Sequence, residues 1–156
     1  MDKRIERGKI VLKISQTQHM GKDEMYYFAY ASNLNWKQMV ERAPDSKPKF
    51  IATLPNFKLT FTARASRQGG VASITPHRGE KVLGAVYEIS ERDLKRLDGY
   101  EDYPTIYDRR KVTVWTETNE PVEAITYIKM DQSRELKPAA EYLAVIQQGY
   151  RDWQIV

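Results

Sequence analysis

Apolar and polar positions alternate with a period of two along much of this 156-residue chain, which predicts strands with one buried face. An aromatic run at residues 25–30 predicts the first, buried strand. Further strands are predicted at residues 50–54, 57–63, 71–75, 82–89, 110–116 and 122–130. Pro55-Asn56 predicts a turn between two consecutive antiparallel strands. Residues 76–79 predict another turn, and residues 118–121 predict the loop of a hairpin.

Two segments near the ends of this pattern carry the 3.6-residue period of amphipathic helices. The first follows the aromatic strand, where Ser32 or Asn33 supplies the N-cap and Pro44 ends the helix. The second closes the chain, with Pro138 in its first turn and apolar residues at three- and four-residue spacing through Tyr150.

A third, short helix is predicted between them. Ser90 and Asp93 have the spacing of a capping box in its acidic variant, and Gly99 is a suitable residue to end the helix. Because most strands are consecutive in the chain, we predict an α+β fold rather than a doubly wound one. The sheet is expected to be mixed, mostly antiparallel and curved or barrel-like, with six to seven strands and about three helices.

Length and composition fit one globular domain, with 41% hydrophobic and 29% charged residues. We expect residues 1–24 to be an N-terminal extension, mobile or loosely docked, in which residues 9–15 have a weak strand pattern. Residues 25–156 are expected to form the domain, as a monomer or a homodimer. No apolar run suits a signal peptide or a membrane span, so we expect a cytoplasmic protein without a membrane partner.

Several kinds of chemistry lack the residues they need. The chain has no cysteine, which excludes a disulfide framework, a thiol nucleophile and a cysteine-ligated metal. Its two histidines, His19 and His77, leave a histidine-rich metal centre or a Ser-His-Asp triad little to work with. The net charge of +4 is compatible with nucleic-acid binding, but basic and acidic residues are interspersed, as in residues 91–96. We therefore predict no nucleic-acid partner.

The turn after the aromatic strand is a candidate anion site. A strand that ends at Tyr30 and leads into a helix exposes backbone N–H groups that can bind a carboxylate or an oxyanion. Ser32 and Asn33 add short polar side chains. Helix capping explains the same two residues, so the pattern by itself leaves both interpretations open.

Glu101 is a candidate for proton transfer. It comes just after a predicted helix end and lies in sequence among Tyr100, Tyr103 and Tyr107. Partial burial among tyrosines would raise the pKa of its carboxyl group, which suits a general acid or base. An exposed glutamate at a helix end is the alternative interpretation.

Five segments, in this order, resemble the motifs of γ-glutamylcyclotransferase-like proteins. They are residues 30–34 (YASNL), residues 69–76 (GGVASITP), residues 82–88 (VLGAVYE), residues 97–101 (LDGYE) with Tyr103-Pro104 and Tyr107, and a closing helix with Pro138, Tyr142, Ile146 and Gly149. The resemblance spans residues 25–150, and the order of several spaced motifs makes it more specific than any one of them.

The resemblance implies an enzyme that acts by intramolecular aminolysis. The α-amine of a γ-glutamyl group attacks its own γ-carbonyl, forms 5-oxoproline and releases the attached amine, with no cofactor and no metal. Glu101 matches the catalytic glutamate that moves the proton. The substrate loop corresponds to Tyr30, Ala31, Ser32, Asn33 and Leu34. Tyr30 and Tyr107 are expected to line the pocket and donate hydroxyl hydrogen bonds, although a purely structural role is nearly as well supported.

Two residues depart from the family pattern. Ala31 stands where the family usually has glycine, so the loop needs a conformation open to alanine or else carries strain. Asp102 replaces the usual glycine after the catalytic glutamate, where its charge could raise the pKa of Glu101 further or help to bind a cationic substrate.

The leaving group stays open at this point. Family members release amino acids, lysine amines, or an aminoglycoside whose γ-glutamyl protecting group is removed during antibiotic biosynthesis, as in the butirosin type. Asp102 and Asp108 would suit the polycationic aminoglycoside. The alternative is a non-catalytic member of the same fold that binds a small ligand or a protein partner.

Overall fold

The computed structural model describes residues 24–155 of the chain. Five strands and three α-helices form the fold, and a 3-10 turn at Ser32–Leu34 precedes the first helix. The strands are β1 (Met25–Ala29), β2 (Lys47–Thr62), β3 (Val71–Ile89), β4 (Tyr107–Thr116) and β5 (Pro121–Lys129). The helices are α1 (Trp36–Arg42), α2 (Glu91–Tyr100) and α3 (Ala140–Asp152). The expected extension at residues 1–24 lies outside the described residues, apart from Glu24.

The strands close into a barrel in the order β1-β3-β2-β4-β5. Neighbouring strands are antiparallel except at the closure, where Tyr27 of β1 pairs with Ile125 of β5 in parallel. The predicted α+β class, the mixed and mostly antiparallel sheet and the three helices are therefore confirmed. The predicted hairpin around residues 118–121 is the β4–β5 connection.

Among residues 24–155 the number of strands is five rather than six to seven, because two predicted turns are bends within long strands. Strand β2 continues through Pro55-Asn56, where Asn56 has a φ of +63° and the register with β3 shifts. Strand β3 likewise continues through the predicted turn at residues 76–79, where Gly79 has a φ of +88°. Asn56 and Gly79, the residues with positive φ, bend the long β2–β3 hairpin but do not reverse the chain. The prediction of two antiparallel strands around Pro55-Asn56 was wrong.

The helix ends agree in part with their predictions. The capping box of α2 is present, with Ser90 and Asp93 each bonding to the other's backbone N–H. Gly99 lies inside α2, which ends at Tyr100 rather than at the glycine. Pro138 precedes α3, which begins at Ala140.

The predicted cap of α1 was wrong. Asn35 is the N-cap, and its side chain accepts a hydrogen bond from the Gln38 backbone N–H at 3.0 Å. Ser32 and Asn33 lie in the separate 3-10 turn, so neither of them caps α1.

The core has two apolar clusters, and β1 contributes alternate residues to both. Tyr27 and Ala29 pack with Leu97 of α2, whereas Phe28 packs with Ile146 of α3. A strand buried on both faces reads as a continuous apolar run, which explains the aromatic sequence of β1. Among residues 24–155, no helix is long and apolar enough to cross a membrane.

Candidate active site

A pocket of tyrosines lies between the end of β1, the end of α2 and the start of α3. Its lining includes Glu101, backbone and side chains of the turn after β1, and five tyrosine rings, with Ala72 of β3 beside them. The lining residues are Tyr27, Tyr30, Ala31, Ser32, Asn33, Ala72, Glu101, Tyr107, Tyr127 and Tyr142. The pocket and its mouth enclose about 330 Å³ of space not filled by protein atoms. Residues separated by more than 100 positions in the chain thus meet at one site.

The turn at residues 30–34, called here the 30–34 turn, is anchored to the core through its backbone carbonyl groups. The Tyr87 hydroxyl donates its one proton to the Asn33 carbonyl oxygen at 2.7 Å, with the Leu34 carbonyl oxygen at 3.1 Å sharing it in a bifurcated arrangement. The indole N–H of Trp153 donates to the Leu34 carbonyl at 3.0 Å. With these carbonyls engaged in the core, the turn is fixed in one orientation relative to the pocket.

The same turn leaves N–H groups for a ligand. Its own hydrogen bonds run from the N–H of Leu34 to Ala31 and from the N–H of Asn35 to Ser32, each at 3.0 Å. Within residues 24–155, the backbone N–H groups of Ser32 and Asn33 have no protein acceptor. Donors of this kind on pocket-lining residues suit a carboxylate.

Helix α3 supports the turn through a close backbone approach at Gly149. A β-carbon at this position would lie 2.6 Å from the Asn35 nitrogen and 2.7 Å from the Leu34 carbonyl carbon. Only glycine has no side chain to clash there. The Asn35 amide also donates to the Val145 carbonyl at 3.2 Å, which ties the same helix to the turn.

Glu101 lies at the C-cap of α2, with φ −90° and ψ 0°. Its backbone N–H donates to the Leu97 carbonyl at 3.0 Å, and Leu97 is fully buried in the core. Asp98, on the same last turn of the helix, accepts a hydrogen bond from the Tyr127 hydroxyl at 2.6 Å and forms an ion pair with Arg109. These contacts fix the helix end to the barrel while leaving Glu101 free.

The carboxyl group of Glu101 is desolvated and unpaired. Glu101 as a residue is half-buried, and its carboxyl group has no hydrogen bond or ion pair among the described residues. Burial raises its pKa, the positive charges of three arginines oppose the rise, and neighbouring Asp102 adds to it. The arginines are Arg42, Arg64 and Arg67. The net pKa shift is upward, towards the range in which a carboxylate is an effective base at neutral pH.

Tyr30 and Tyr107 line the pocket, but their hydroxyl protons are engaged elsewhere. Tyr30 donates to the Tyr127 carbonyl at 2.7 Å, and Tyr107 donates to the Ala72 carbonyl at 2.8 Å. Both residues line the pocket and donate hydroxyl hydrogen bonds, as expected, but because each hydroxyl has one proton neither directs it into the pocket in this structure. They offer the pocket oxygen lone pairs instead.

The side chain of Asn33 is also engaged by protein. Its Oδ1 accepts hydrogen bonds from Gln38 Nε2 at 3.1 Å and from Arg42 Nη1 at 3.2 Å. Its Nδ2 donates to the Tyr27 hydroxyl at 2.9 Å. Asn33 therefore contributes to the pocket through its backbone and through Tyr27.

Residues 27–153 match the protein family described as "Gamma-glutamyl cyclotransferase, AIG2-like". The chain belongs to this family. It is 29% identical to a gamma-glutamylcyclotransferase of Bos taurus over 136 residues, which covers 83% of this chain and 72% of the relative. It is also 29% identical to the gamma-glutamylcyclotransferase of Homo sapiens over 140 residues, or 85% and 74% of the two chains.

A solved structure described as "Gamma-glutamyl cyclotransferase" has the same fold, with a TM-score of 0.78 at 26% identity. The similarity covers 83% of this chain and 79% of that one. Together with the sequence relatives, it supports the general γ-glutamylcyclotransferase class of activity.

Both departures from the family pattern have a structural account. Ala31 has φ −143° and ψ −117°, so the turn does not require the positive φ that favours glycine. Asp102 has a φ of +51°, a conformation that glycine adopts freely and aspartate tolerates better than most residues. Its exposed carboxylate forms an ion pair with Arg64.

The site and the sequence-based expectation overlap without coinciding. Leu34 does not line the pocket, because its side chain is fully buried in the core. Four lining residues were not predicted as site residues: Tyr27, Ala72, Tyr127 and Tyr142. Three of these are tyrosines on elements whose apolar periodicity marks them equally well as core, so only their hydroxyl groups hinted at a polar site.

Proposed function

We propose that the protein is a γ-glutamylcyclotransferase that converts a γ-glutamyl amide into 5-oxoproline and a free amine. The observation that carries this proposal is the unpaired, desolvated Glu101 carboxyl group in one pocket with the free N–H groups of the 30–34 turn. A proton carrier and an anion-binding turn are the two groups that this cyclisation needs.

The reaction requires bond exchange at one carbon. The α-amine nitrogen attacks the γ-carbonyl carbon and forms the lactam C–N bond, and the bond from that carbon to the leaving nitrogen then breaks. Two protons leave the attacking nitrogen and two are gained by the leaving nitrogen, which departs as an ammonium ion. In the proposal the Glu101 carboxylate carries them one at a time. Because nucleophile and electrophile belong to one molecule, the protein mainly supplies orientation and proton transfer.

The donors and acceptors of the pocket suit the charged end of a γ-glutamyl group. The backbone N–H groups of Ser32 and Asn33 are suited to bind its α-carboxylate. The oxygen lone pairs of Tyr30 and Tyr107 are suited to accept from its α-ammonium, because both protons of these hydroxyls are already donated to backbone. The raised pKa of Glu101 suits a base that must take a proton from an ammonium.

We further propose that the leaving group is an amino acid rather than a polycationic aminoglycoside. The acids that would attract a polycation are already paired, Asp102 with Arg64 and Asp108 with Arg110. Two of the arginines whose charges act on Glu101, Arg42 and Arg67, have no ion-pair partner among the described residues. A leaving group with a carboxylate is therefore favoured by the electrostatic field of the site.

Incubation with γ-glutamyl substrates, followed by mass spectrometry of both products, tests the proposal. We expect 5-oxoproline and a free amino acid from γ-glutamyl dipeptides, and at least tenfold lower kcat/KM for a γ-glutamyl aminoglycoside. Glu101→Gln should lower kcat by about 10² to 10⁴, the typical contribution of general acid–base catalysis. Glu91→Gln, at the other end of α2, is the matched control and should retain full activity.

Two results would contradict these claims separately. Absence of 5-oxoproline from every γ-glutamyl substrate would favour the non-catalytic alternative, a binder of a small ligand or protein partner. Equal turnover of the dipeptide and the aminoglycoside would leave the cyclotransferase in place and refute only the proposed leaving group.

A further inference from the structure

The hydroxyl protons of the pocket tyrosines fall into two groups. Those of Tyr30, Tyr107 and Tyr127 are donated to protein oxygens, at 2.6 to 2.8 Å. Those of Tyr27 and Tyr142 are not, because each of these hydroxyls accepts a hydrogen bond from an N–H group and has no protein acceptor among the described residues. The pocket therefore contains two buried or half-buried hydroxyl donors for which the described part of the chain supplies no acceptor.

The direction of the Tyr27 hydroxyl follows from the chemistry of its neighbours. A guanidinium group can only donate, so the Asn33 side-chain atom that faces Arg42 must be the oxygen. The atom that faces Tyr27 is then the amide nitrogen, and the Tyr27 oxygen must accept from it. The single proton of Tyr27 is consequently directed away from Asn33.

Packing holds this hydroxyl in place. Tyr27 is only 5% exposed, and its ring lies 6.4 Å from that of Tyr87 and 6.0 Å from that of Tyr127. Tyr142 is fixed in a similar way, because its hydroxyl accepts from the Ala72 backbone N–H at 3.0 Å and a backbone amide can only donate. Both residues line the pocket that contains Glu101.

We propose that Tyr27 is a catalytic residue that donates its hydroxyl hydrogen bond to the γ-carbonyl oxygen of the substrate, with Tyr142 as a second donor. This proposal rests on the proposed cyclotransferase function. Attack on the γ-carbonyl carbon places negative charge on that oxygen, and preoriented donors stabilise it most in the transition state. Burial raises the pKa of Tyr27, so its hydroxyl stays protonated at neutral pH.

In this arrangement Arg42 and Asn33 are positioning residues. Arg42 donates to the side-chain oxygen of Asn33, so the amide nitrogen of Asn33 faces Tyr27 and donates to its hydroxyl oxygen. The phenolic proton of Tyr27 is thereby directed towards the substrate. Asn33→Asp replaces that donor by an acceptor of the same shape. The Tyr27 proton should then turn to the new carboxylate and be lost to the pocket.

Steady-state kinetics of Tyr27→Phe on a γ-glutamyl dipeptide is the first test. We expect kcat to fall by about 10² with KM changed less than threefold, as when one oxyanion donor is removed. Tyr26→Phe is the matched control, because the adjacent Tyr26 packs on Phe50 outside the pocket and should keep wild-type kinetics. Tyr142→Phe should also lower kcat at nearly constant KM.

A double-mutant cycle is the second test, and its Asn33→Asp single variant, which keeps the Tyr27 side chain, stays informative even if Tyr27→Phe folds poorly. Asn33→Asp, compared with wild type at the pH optimum of each, should lose kcat to a similar extent as Tyr27→Phe. In the Tyr27→Phe background, the same change should have less than a threefold further effect.

Three results would overturn the proposal. The first is a Tyr27→Phe variant with wild-type kcat and KM. The second is a Tyr27→Phe variant in which only KM rises, since that would show that the hydroxyl binds the substrate equally well in the ground state and in the transition state. The third is additivity of Asn33→Asp and Tyr27→Phe, which would show that Asn33 acts independently of Tyr27. A wild type that forms no 5-oxoproline would instead remove the proposed function itself.

Discussion

The 30–34 turn and the Glu101 segment, residues 98–103, carry the two halves of the proposed chemistry, but the protein holds them in different ways. The turn is fixed through its own backbone, whose carbonyls accept from Tyr87 and Trp153 on the side away from the ligand. The Glu101 segment is fixed through Asp98, three residues before the reactive group.

The difference follows from what each half has to offer. A turn that binds an anion offers N–H groups, so its carbonyls can be tied down without loss. A glutamate that moves a proton offers its carboxyl group, and pairing that group would hold its pKa low. The anchor of the Glu101 segment therefore has to be another residue on the same helix turn.

Gly149→Ala should disrupt the packing of α3 against the 30–34 turn. The added β-carbon would meet backbone atoms of Leu34 and Asn35 at 2.6 to 2.7 Å, and these atoms have little room to give. We expect a loss of about 3 kcal/mol in the free energy of unfolding, measured by chemical denaturation. Gly99→Ala is the matched control: nothing lies within 4 Å of its new β-carbon inside α2, and it should stabilise by about 0.5 kcal/mol.

Asp98→Asn should weaken the anchor of the Glu101 segment. It removes the half-buried ion pair with Arg109, and we expect a loss of about 2 kcal/mol together with lower kcat, because Glu101 is less well positioned. Asp108→Asn serves as the control, since its pair with Arg110 is exposed and should contribute under about 1 kcal/mol. Equal losses in the two variants would show that Asp98 is not a special anchor.

The pH dependence of stability tests whether the Glu101 segment holds its carboxyl group with a raised pKa. Because burial raises the pKa of folded Glu101, its contribution to stability is complete below the ordinary value of 4.5 and is lost as pH rises through the folded-state pKa. Glu101→Gln stays neutral and avoids this loss. We expect the Tm of the variant minus that of wild type to increase between about pH 4 and pH 7 in thermal scans. A difference that shrinks over this window would mean that folding favours the charged form.

Ala31→Gly should have the smallest effect. Ala31 has no positive φ for glycine to relieve, so we expect the substitution mainly to make the unfolded chain more flexible. We expect a loss of about 0.5 kcal/mol and activity within threefold of wild type. A large gain in activity would show that the alanine distorts the turn.

The parts of the fold that depend on neighbouring residues in the chain were predictable. The capping box of α2 joins Ser90 and Asp93, three positions apart, and the β4–β5 hairpin joins strands on either side of a short loop. The continuity of β2 through Pro55-Asn56 was not predictable, because the same two residues can reverse a chain or merely bend it. Pairing of both halves of β2 with the long β3 decides between them.

The sequence by itself determined the residue types of the site: a glutamate after a helix, a polar turn after an aromatic strand, and the order of family motifs between them. Only the tertiary structure decided which group each hydroxyl and amide serves, as where Tyr30 donates to a carbonyl 97 positions away. The physical reason is that hydrogen-bond direction depends on the partner, and most partners here are distant in the chain. Tyr27 was an ordinary core residue in the pattern of β1, and the amide of Asn33, oriented by Arg42, makes it a free donor in the pocket.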